Sequence, residues 1–243
     1  MEEHLYQQFY EIENAHWWFV ARREILLAYL RHRVDTSRHW TLLDVGCGTG
    51  AILADASRYF DASGMDASPR AIEFCRKRGL SKLFVGNLDE YPGKEKFDII
   101  TLFDVVEHID DDVEVLAQAR SRLNDNGHVL ITVPAYQWLW SSHDVVNHHK
   151  RRYTRTQLGP VMTKAGFHID HLTYFNTLLF PIALFRRVFA RAANKQQADD
   201  FLIPAGPVNA TLCGIFRLEQ YIVPHISLPW GLSVLCWATK TRA

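Results

Sequence analysis

The chain has 243 residues, of which 48% are hydrophobic, and its 27 basic side chains balance its 27 acidic ones. This length and apolar content predict one globular domain, and the net charge of zero argues against nucleic acid as a partner. Four cysteines without a CxxC pair favour free thiols in a reducing cytoplasm. No apolar run approaches the roughly 20 residues of a membrane-spanning helix, and the acidic, aromatic N-terminus differs from a signal peptide. The sequence therefore predicts a cytoplasmic protein without a transmembrane segment.

Short apolar strands and amphipathic helices alternate along the first 135 residues. Helical sequence precedes the first strand, helices separate most of the later strands, and the turn Asn126-Gly127 closes the last of these helices. This alternation predicts a mostly parallel sheet covered by helices on both faces, and the right-handed crossover rule makes it a Rossmann-like, doubly wound α/β sandwich. The predicted strands are 41–45, 61–66, 82–86, 97–103 and 128–134, and the predicted helices are 50–59, one that begins at Ser68-Pro69, and 111–123.

The remaining third of the chain is less regular. Residues 154–165 predict a helix that ends at Gly166, residues 167–175 predict a strand, and residues 231–240 predict a closing strand. Between these two strands, residues 176–228 predict a helical insertion that prolines interrupt.

The stretch "TLLDVGCGTG" at 41–50 places glycines at positions 46, 48 and 50, directly after the first strand. In doubly wound sheets, ligands bind at the carboxyl ends of such strands, and glycine lets a ligand approach the backbone. The glycines also fit a dinucleotide fingerprint, so the acids nearby are more informative. Asp44 would repel a pyrophosphate but suits a ligand with ammonium and sulfonium charges, and Asp66 can accept hydrogen bonds from both hydroxyls of a ribose. For each acid alone, a capping role is the alternative.

The sequence at this point resembles the class I S-adenosylmethionine-dependent methyltransferases. "LLDVGCGTG", "GMDASPRAI", "LFVGNLDEYP", "FDIITLFDVVEHIDD" and "LNDNGHVLITVP" match the motifs of that family in order and spacing over residues 40–134. The resemblance implies a seven-stranded, mostly parallel sheet with an antiparallel last strand. It also implies S-adenosyl-L-methionine as the cofactor and S-adenosyl-L-homocysteine as the product.

The resemblance also implies a role for individual cofactor-site residues. Asp44 and the three glycines would lie at the amino-acid part of the cofactor, Asp66 at the ribose, and Asn87 and Leu88 at the adenine. Asn87 departs from the aspartate that the family often has there, so we expect a weaker contact. The full set of predicted cofactor-binding residues is Arg22, Asp44, Gly46, Gly48, Gly50, Asp66, Asn87, Leu88, Phe103, Asp104 and His108.

A predicted N-terminal helix carries an arginine on its apolar face. Trp18, Arg22, Ile25, Leu26 and Tyr29 share that face at helical spacing. An unpaired guanidinium is costly to bury, and in the family such an arginine commonly reaches the carboxylate of the cofactor. We therefore expect Arg22, rather than its neighbour in sequence, to contact the cofactor.

Histidines after the fifth strand are the candidates for catalysis. Methyl transfer from a sulfonium is an in-line displacement, and a general base is needed only where the acceptor must lose a proton. "SSHDVVNHHKRRYT" offers His143 and His149 as predicted catalytic residues. Asp144, Arg152 and Tyr153 are the predicted substrate-binding residues, and the alternative is a solvated loop in which the basic residues and the tyrosine pair with surface acids.

The segment "DVVEHIDDD" raises the alternative of a metal site. Asp104, Glu107 and His108 are close enough in sequence to converge, and a downstream histidine could complete a mixed oxygen and nitrogen site. In metal-free relatives, however, the acid caps the next helix and the histidine borders the cofactor. We therefore predict no metal.

The sequence predicts O-methylation of a small-molecule acceptor, with N-methylation as the nearest alternative. A nicotinamide-dependent oxidoreductase and a non-catalytic cofactor-binding partner are the alternatives from other classes. We expect a monomer or homodimer. The insertion is predicted to be a lid, with a dimer contact or peripheral docking on a membrane as alternatives. The single domain of 1–243 then divides into a helical cap (1–38), a cofactor-binding core (39–135) and a substrate-side half (136–243) with the lid at about 176–228.

Overall fold

The computed structural model describes residues 3–185 and 202–241, and these residues contain one seven-stranded sheet. With the strands numbered in chain order, their order across the sheet is β3-β2-β1-β4-β5-β7-β6. The first five strands in this order are parallel to one another, and β7 runs antiparallel to both of its neighbours, β5 and β6. The predicted α/β fold with an antiparallel last strand is confirmed. The strands are β1 (Thr41–Val45), β2 (Asp61–Asp66), β3 (Leu83–Val85), β4 (Phe97–Phe103), β5 (Leu123–Pro134), β6 (Phe167–Phe175) and β7 (Ser233–Lys240).

Helices cover both faces of this sheet because side chains alternate along each strand. Leu42 of β1 packs into a core with Ile25 and Phe216, whereas Leu43 packs on the opposite face with Leu116 and other residues. The predicted double winding is therefore confirmed. The helices are α1 (Glu3–Ile12), α2 (Trp17–Arg33), α3 (Ala51–Ala56), α4 (Pro69–Lys77), α5 (Asp112–Ser121), α6 (Ser142–Val146), α7 (Arg155–Lys164) and α8 (Gly206–Arg217).

Two predicted helix ends were wrong. The helix after the glycine loop ends at Ala56 rather than at residue 59. The fifth helix ends at Ser121, and the chain enters β5 at once because Leu123 pairs with Phe97 of β4. The turn at Asn126, whose φ is +62°, therefore lies inside β5 as an irregularity of the register rather than closing a helix.

The predicted insertion at 176–228 is joined to the N-terminal helices. Helix α8 packs along α2, and the Asn209 side chain accepts a hydrogen bond from the backbone N–H of Trp17 (2.9 Å) and donates one to the carbonyl of Ala15 (2.8 Å). Residues 186–201 of this insertion lie outside the described part of the chain. Within the ranges 3–185 and 202–241, no helix combines the length and the hydropathy that a bilayer span requires.

A buried carboxylate holds the start of the insertion. Both oxygens of Glu219 accept backbone hydrogen bonds, from Asn176 (2.6 Å), Thr177 (2.7 Å) and Leu178 (2.8 Å). In Glu219→Gln, the NH₂ group of the new amide would face at least one of these backbone N–H groups, which would then lose its acceptor. We expect the free energy of unfolding to fall by about 2 kcal/mol, measured by urea denaturation. The exposed Glu73→Gln is the control, because it lies in a surface ion pair and should change stability by less than about 1 kcal/mol.

Candidate active site

A cavity of about 1520 Å³ opens at the carboxyl ends of β1, β2 and β4, the edge where doubly wound sheets bind ligands. Pockets for one small molecule typically hold roughly 300–1,000 Å³, so this cavity has room for two. The predicted site residues in its wall are Arg22, Asp44, Gly46, Gly48, Asp66, Asn87, Leu88, Phe103, Asp104, His108, His149 and Arg152.

The glycine loop between β1 and α3 lies open to the cavity. Gly46 has φ +71°, and a Cβ there would stand 2.5 Å from Cγ2 of Val105, so only glycine fits. Gly48 donates its backbone N–H to Oδ2 of Asp66 (2.9 Å). Gly50 is not among the residues of the cavity wall; it precedes α3 with φ +83° and packs closely against Cys75 of α4. Gly50 therefore packs the loop against α4 outside the cavity wall, whereas Gly46 and Gly48 lie in the wall.

Two acids flank this loop in different environments. Asp44 is buried and accepts a hydrogen bond from Oγ1 of Thr101 (2.6 Å), and its burial raises its pKa to about 7. Asp66 accepts hydrogen bonds from two backbone N–H groups, those of Gly48 and Ser68 (both 2.9 Å), and burial raises its pKa as well. Because an ionised carboxylate can accept about four hydrogen bonds, Asp66 keeps capacity for two more.

Arg22 lines the cavity, as does its neighbour Arg23 in α2. It donates to Oδ2 of Asp104 (2.8 Å) and to Oγ1 of Thr132 (2.7 Å), and it is 6% exposed. Arg23, the other candidate, forms an ion pair with Asp55 of α3 at 2.8 Å. The two adjacent arginines therefore bind different acids. Asp104 holds the Arg22 guanidinium beside the cavity, and Asp55 holds that of Arg23.

The predicted adenine end of the cavity begins after β3. Asn87 and Leu88 line the wall there, and the backbone N–H of Asn87 donates to Oε2 of Glu90 (2.7 Å) in a capping box. Asn87 therefore caps the short 3-10 turn Leu88–Glu90 and also lines the cavity. Phe103 and Asp104, at the end of β4, line the opposite part of the cavity, where Asp104 adopts φ +56°.

A buried acid organises the histidine segment that follows β5. Asp144 accepts two hydrogen bonds from the guanidinium of Arg152 (2.7 and 2.8 Å) and lies 2.9 Å from Nδ1 of His149. Burial alone would raise the pKa of Asp144, but the hydrogen bonds from His149 and Arg152 hold it well below its usual range. Asp144 is 0% exposed and not among the wall residues, so it orients His149 and Arg152 rather than reaching into the cavity.

Two other predicted residues of this segment take different positions. Tyr153 is buried, lies outside the cavity wall and donates its hydroxyl to Oδ2 of Asp112 (2.7 Å). The alternative interpretation expected it to pair with an acid, but in a solvated loop rather than in a buried position. His143 belongs to α6, and its side chain lies outside the described part of the structure. His149, the other predicted catalytic residue, lies in the cavity wall.

Glu107, His108 and His149 converge in the cavity wall. One ligand-type atom from each of the three lies within 4.8 Å of the others, and Oε1 of Glu107 is 4.0 Å from Nε2 of His149. Burial raises the pKa of Glu107, and the Asp104 carboxylate adds to this rise. Burial lowers the pKa of His108 to about 4, so its imidazole is neutral at ordinary pH.

The N-terminal segment contributes wall residues that the sequence analysis missed. Tyr6, Phe9 and Glu13 from α1 and the following turn line the cavity, and the buried Glu13 accepts a hydrogen bond from Oγ1 of Thr49 (2.6 Å) in the glycine loop. Glu13 also pairs with Arg78. No motif marks these residues, and the amphipathic pattern of α1 is the one signal that could have placed the helix against the core.

A family model described as a methyltransferase domain matches residues 17–172, more than half of the chain. The chain belongs to the class I S-adenosylmethionine-dependent methyltransferases. This membership confirms S-adenosyl-L-methionine as the cofactor, as the resemblance implied.

Among its methyltransferase relatives, the chain is 32% identical over 104 residues to the mitochondrial ubiquinone biosynthesis O-methyltransferase of Candida albicans, covering 38% of this chain and 32% of that one. It is 26% identical over 181 residues to the malonyl-[acyl-carrier protein] O-methyltransferase of Halalkalibacterium halodurans, covering 70% and 63%. The chain thus spans less than two thirds of either relative.

A solved methyltransferase shares the fold. Phosphoethanolamine N-methyltransferase 2 of Haemonchus contortus, in complex with S-adenosyl-L-methionine, superimposes with a TM-score of 0.58 at 20% identity, over 89% of this chain and 52% of that one. At this identity the likeness shows the fold alone.

Proposed function

We propose that this chain transfers the methyl group of S-adenosyl-L-methionine to a hydroxyl oxygen of a small molecule. The observation that carries the proposal is the wall of the cavity: the glycine loop with Asp44 and Asp66 lies on one side, and His149, oriented by a buried acid, lies on another. The first group suits the cofactor, and the second suits an acceptor that must lose a proton.

The cofactor half rests on complementary charge and hydrogen bonding. Asp44 offers a buried carboxylate to the ammonium and sulfonium charges, Asp66 has acceptor capacity for the ribose, and Arg22 is placed to donate to the carboxylate of the cofactor. The three groups project from β1, β2 and α2. In this arrangement Phe103 and His108 border the methionine end, and Asn87 with Leu88 borders the adenine.

The acceptor half rests on what O-methylation requires. The acceptor oxygen attacks the methyl carbon, the carbon–sulfur bond breaks with its electron pair on sulfur, and neutral S-adenosyl-L-homocysteine leaves. An alcohol or phenol is a weak nucleophile until its proton is removed, and the cluster around His149 is the place in the wall where this occurs. The remaining rate acceleration comes from holding the acceptor oxygen, the methyl carbon and the sulfur in line while water is excluded.

The acceptor is a small molecule held on the insertion side of the cavity. Phe185, Leu202 and Leu212 of the insertion line the wall, so an apolar part of the acceptor would contact them. This placement supports the interpretation of the insertion as a lid. The positive charge of Arg152 is already matched by Asp144, and the site therefore does not select for a strongly anionic acceptor. Both curated relatives named above are O-methyltransferases by name, which agrees with this choice.

Labelled methyl donor and a panel of phenols, alcohols, carboxylic acids and amines test the proposal. We expect label on oxygen, located by mass spectrometry of the product. Label on nitrogen or carbon alone would contradict O-methylation. In a separate binding test with both labelled cofactors, binding of NADH without binding of the methyl donor would contradict methyltransferase activity. We also propose a cytoplasmic site of action, since all four cysteines are free thiols.

We expect cofactor affinity to decrease as the pH falls below about 7. Burial sets the pKa of Asp44 at about 7 in the unliganded protein, with Arg22 and Asp66 as the nearby charges. A bound ammonium favours the ionised form and lowers that pKa, so binding releases a proton below pH 7. The Kd should then rise by up to about tenfold per pH unit.

Titration calorimetry with S-adenosyl-L-homocysteine between pH 6 and pH 8 measures this effect. The control is Asp44→Asn, which can still accept the hydrogen bond from Thr101 but lacks the ionisable carboxylate. Any titration of the ligand itself is the same in both proteins. The pH slope should therefore be smaller in the variant, and equal slopes would show that Asp44 does not titrate on binding.

A further inference from the structure

Glu107 is a buried carboxylate without the partners that such a group usually has. It is 0% exposed, and its two oxygens accept a hydrogen bond from no other residue in the ranges 3–185 and 202–241. A buried carboxylate in that state is costly. The charges of Arg22 and Arg152 favour the ionised form in part, but neither side chain donates a hydrogen bond to Glu107, because Arg22 pairs with Asp104 and Arg152 pairs with Asp144.

Each of the two imidazoles beside Glu107 has a hydrogen-bond partner other than Glu107. Nδ1 of His149 lies 2.9 Å from a buried Asp144 oxygen, while Nε2 points to Glu107 at 4.0 Å. The backbone of His148 hydrogen-bonds the ring of His108, and the rings of His108 and His149 stand 4.7 Å apart, almost perpendicular. A carboxylate on the ring nitrogen that faces away from the site is an arrangement that orients histidine ligands of metal ions, and His149 has it.

We propose that Glu107, His108 and His149 bind a divalent transition-metal ion of the zinc class, with an open position toward the acceptor. Two imidazoles and one carboxylate form the ligand set of catalytic zinc sites, and the nitrogen ligands disfavour magnesium. The ligand atoms lie within 4.8 Å of one another, against roughly 3–3.5 Å around a tetrahedral ion. Small side-chain rotations close this difference.

This site extends the proposed function and rests on it. An ion held by these three residues would coordinate the hydroxyl oxygen of the acceptor and lower the pKa of that hydroxyl, so that its proton would pass to water. The oxygen then attacks the methyl carbon while the carbon–sulfur electron pair passes to sulfur. His149 in this arrangement is a ligand of the ion, and Asp144 is the positioning residue that holds it.

Binding of Co²⁺, Zn²⁺ and Mg²⁺ to EDTA-treated full-length protein tests the site directly. Calorimetry gives the affinity and stoichiometry, and the visible absorption of Co²⁺ reports its coordination. We expect one Zn²⁺ or Co²⁺ per chain, bound at least tenfold more tightly than Mg²⁺. No binding, or equal binding of Mg²⁺, would overturn the proposal.

Variants separate a metal ligand from a structural residue. Glu107→Gln and His149→Asn should weaken Co²⁺ binding by more than the roughly 10–100-fold that loss of an outer hydrogen bond costs. Glu107→Gln should keep the thermal stability of the metal-free protein, since the glutamate has no other described partner to lose. His148→Asn is the matched control: this exposed neighbour has φ +57°, which asparagine tolerates, and it should bind Co²⁺ normally. Unchanged binding in the first two variants would overturn the proposal.

Activity distinguishes this inference from the proposed function. O-methylation that EDTA abolishes and Zn²⁺ restores supports the metal site. O-methylation that persists without metal overturns the metal-assisted step and leaves the proposed function intact, with His149 acting as the base. Label on nitrogen or carbon alone contradicts the proposed function whether or not an ion binds.

Discussion

His149→Asn should lower kcat for methyl transfer to a hydroxyl by roughly 10²–10⁴-fold, the range typical of losing the group that activates a nucleophile. Its ring lies in the cavity wall, and Asp144 holds the opposite nitrogen at 2.9 Å. Asparagine is too short to reach Glu107 or the acceptor from the same backbone position. The affinity for S-adenosyl-L-homocysteine should change little, because the cofactor residues project from other elements.

Single-turnover kinetics with saturating cofactor measures the effect on the chemical step. His148→Asn is again the control, since it changes the adjacent exposed histidine and should retain full activity. The cofactor Kd and the thermal midpoint of both variants test for a folding defect. A His149 variant with normal turnover and a normal cofactor Kd would remove this residue from the mechanism.

Asp66→Ala should weaken cofactor binding by about a hundredfold. The carboxylate has capacity for two hydrogen bonds from the ribose, each worth about 1.5 kcal/mol because the acceptor is charged, and 3 kcal/mol corresponds to roughly 150-fold in Kd. The backbone N–H groups of Gly48 and Ser68 would also lose their acceptor. Calorimetric titration with S-adenosyl-L-homocysteine measures the loss.

Asp61→Ala is the matched control because Asp61 begins the strand that Asp66 ends. Its carboxylate pairs with Lys82 at the opposite edge of the sheet, so cofactor affinity should be unchanged. A 2′,3′-dideoxy analogue of the ligand isolates the ribose contacts in a double-mutant cycle. If the analogue loses as much affinity as the natural ligand on Asp66→Ala, Asp66 supports the loop and does not bind the ribose.

The sequence indicated the fold and the cofactor half of the cavity because both depend on local features. Alternating apolar strands and amphipathic helices specify a doubly wound sheet, and three glycines after a strand specify a loop that lets a ligand approach the backbone. The boundary between α5 and β5 was predicted wrongly for a nonlocal reason. Residues after Ser121 pair with β4, and this sheet pairing decided against a longer helix.

The acceptor side shows the limit of local patterns. "SSHDVVNHHKRRYT" contains three histidines, one lysine and two arginines but only one acid, and the sequence could not tell which of them face a ligand. In the structure, Tyr153 donates a hydrogen bond to Asp112, Arg152 donates to Asp144, and His149 lies in the cavity wall. The partners of these side chains lie 5 to 41 positions away, and their pairing depends on how α5, α6 and the end of β5 pack.

By itself, the sequence determined the architecture, the family and the edge of the sheet where a cationic nucleoside fits, since the pattern of strands and helices and the loop chemistry are encoded in short stretches of sequence. The tertiary structure alone decided that Arg22 meets Asp104 across 82 positions and that Glu107 and His108 meet His149. Burial then removed water from these groups, raising the pKa of Asp44 and Glu107 and lowering that of His108. A charge in water needs no partner, whereas a buried carboxylate does, and this difference turns the unpartnered Glu107 into a candidate ligand.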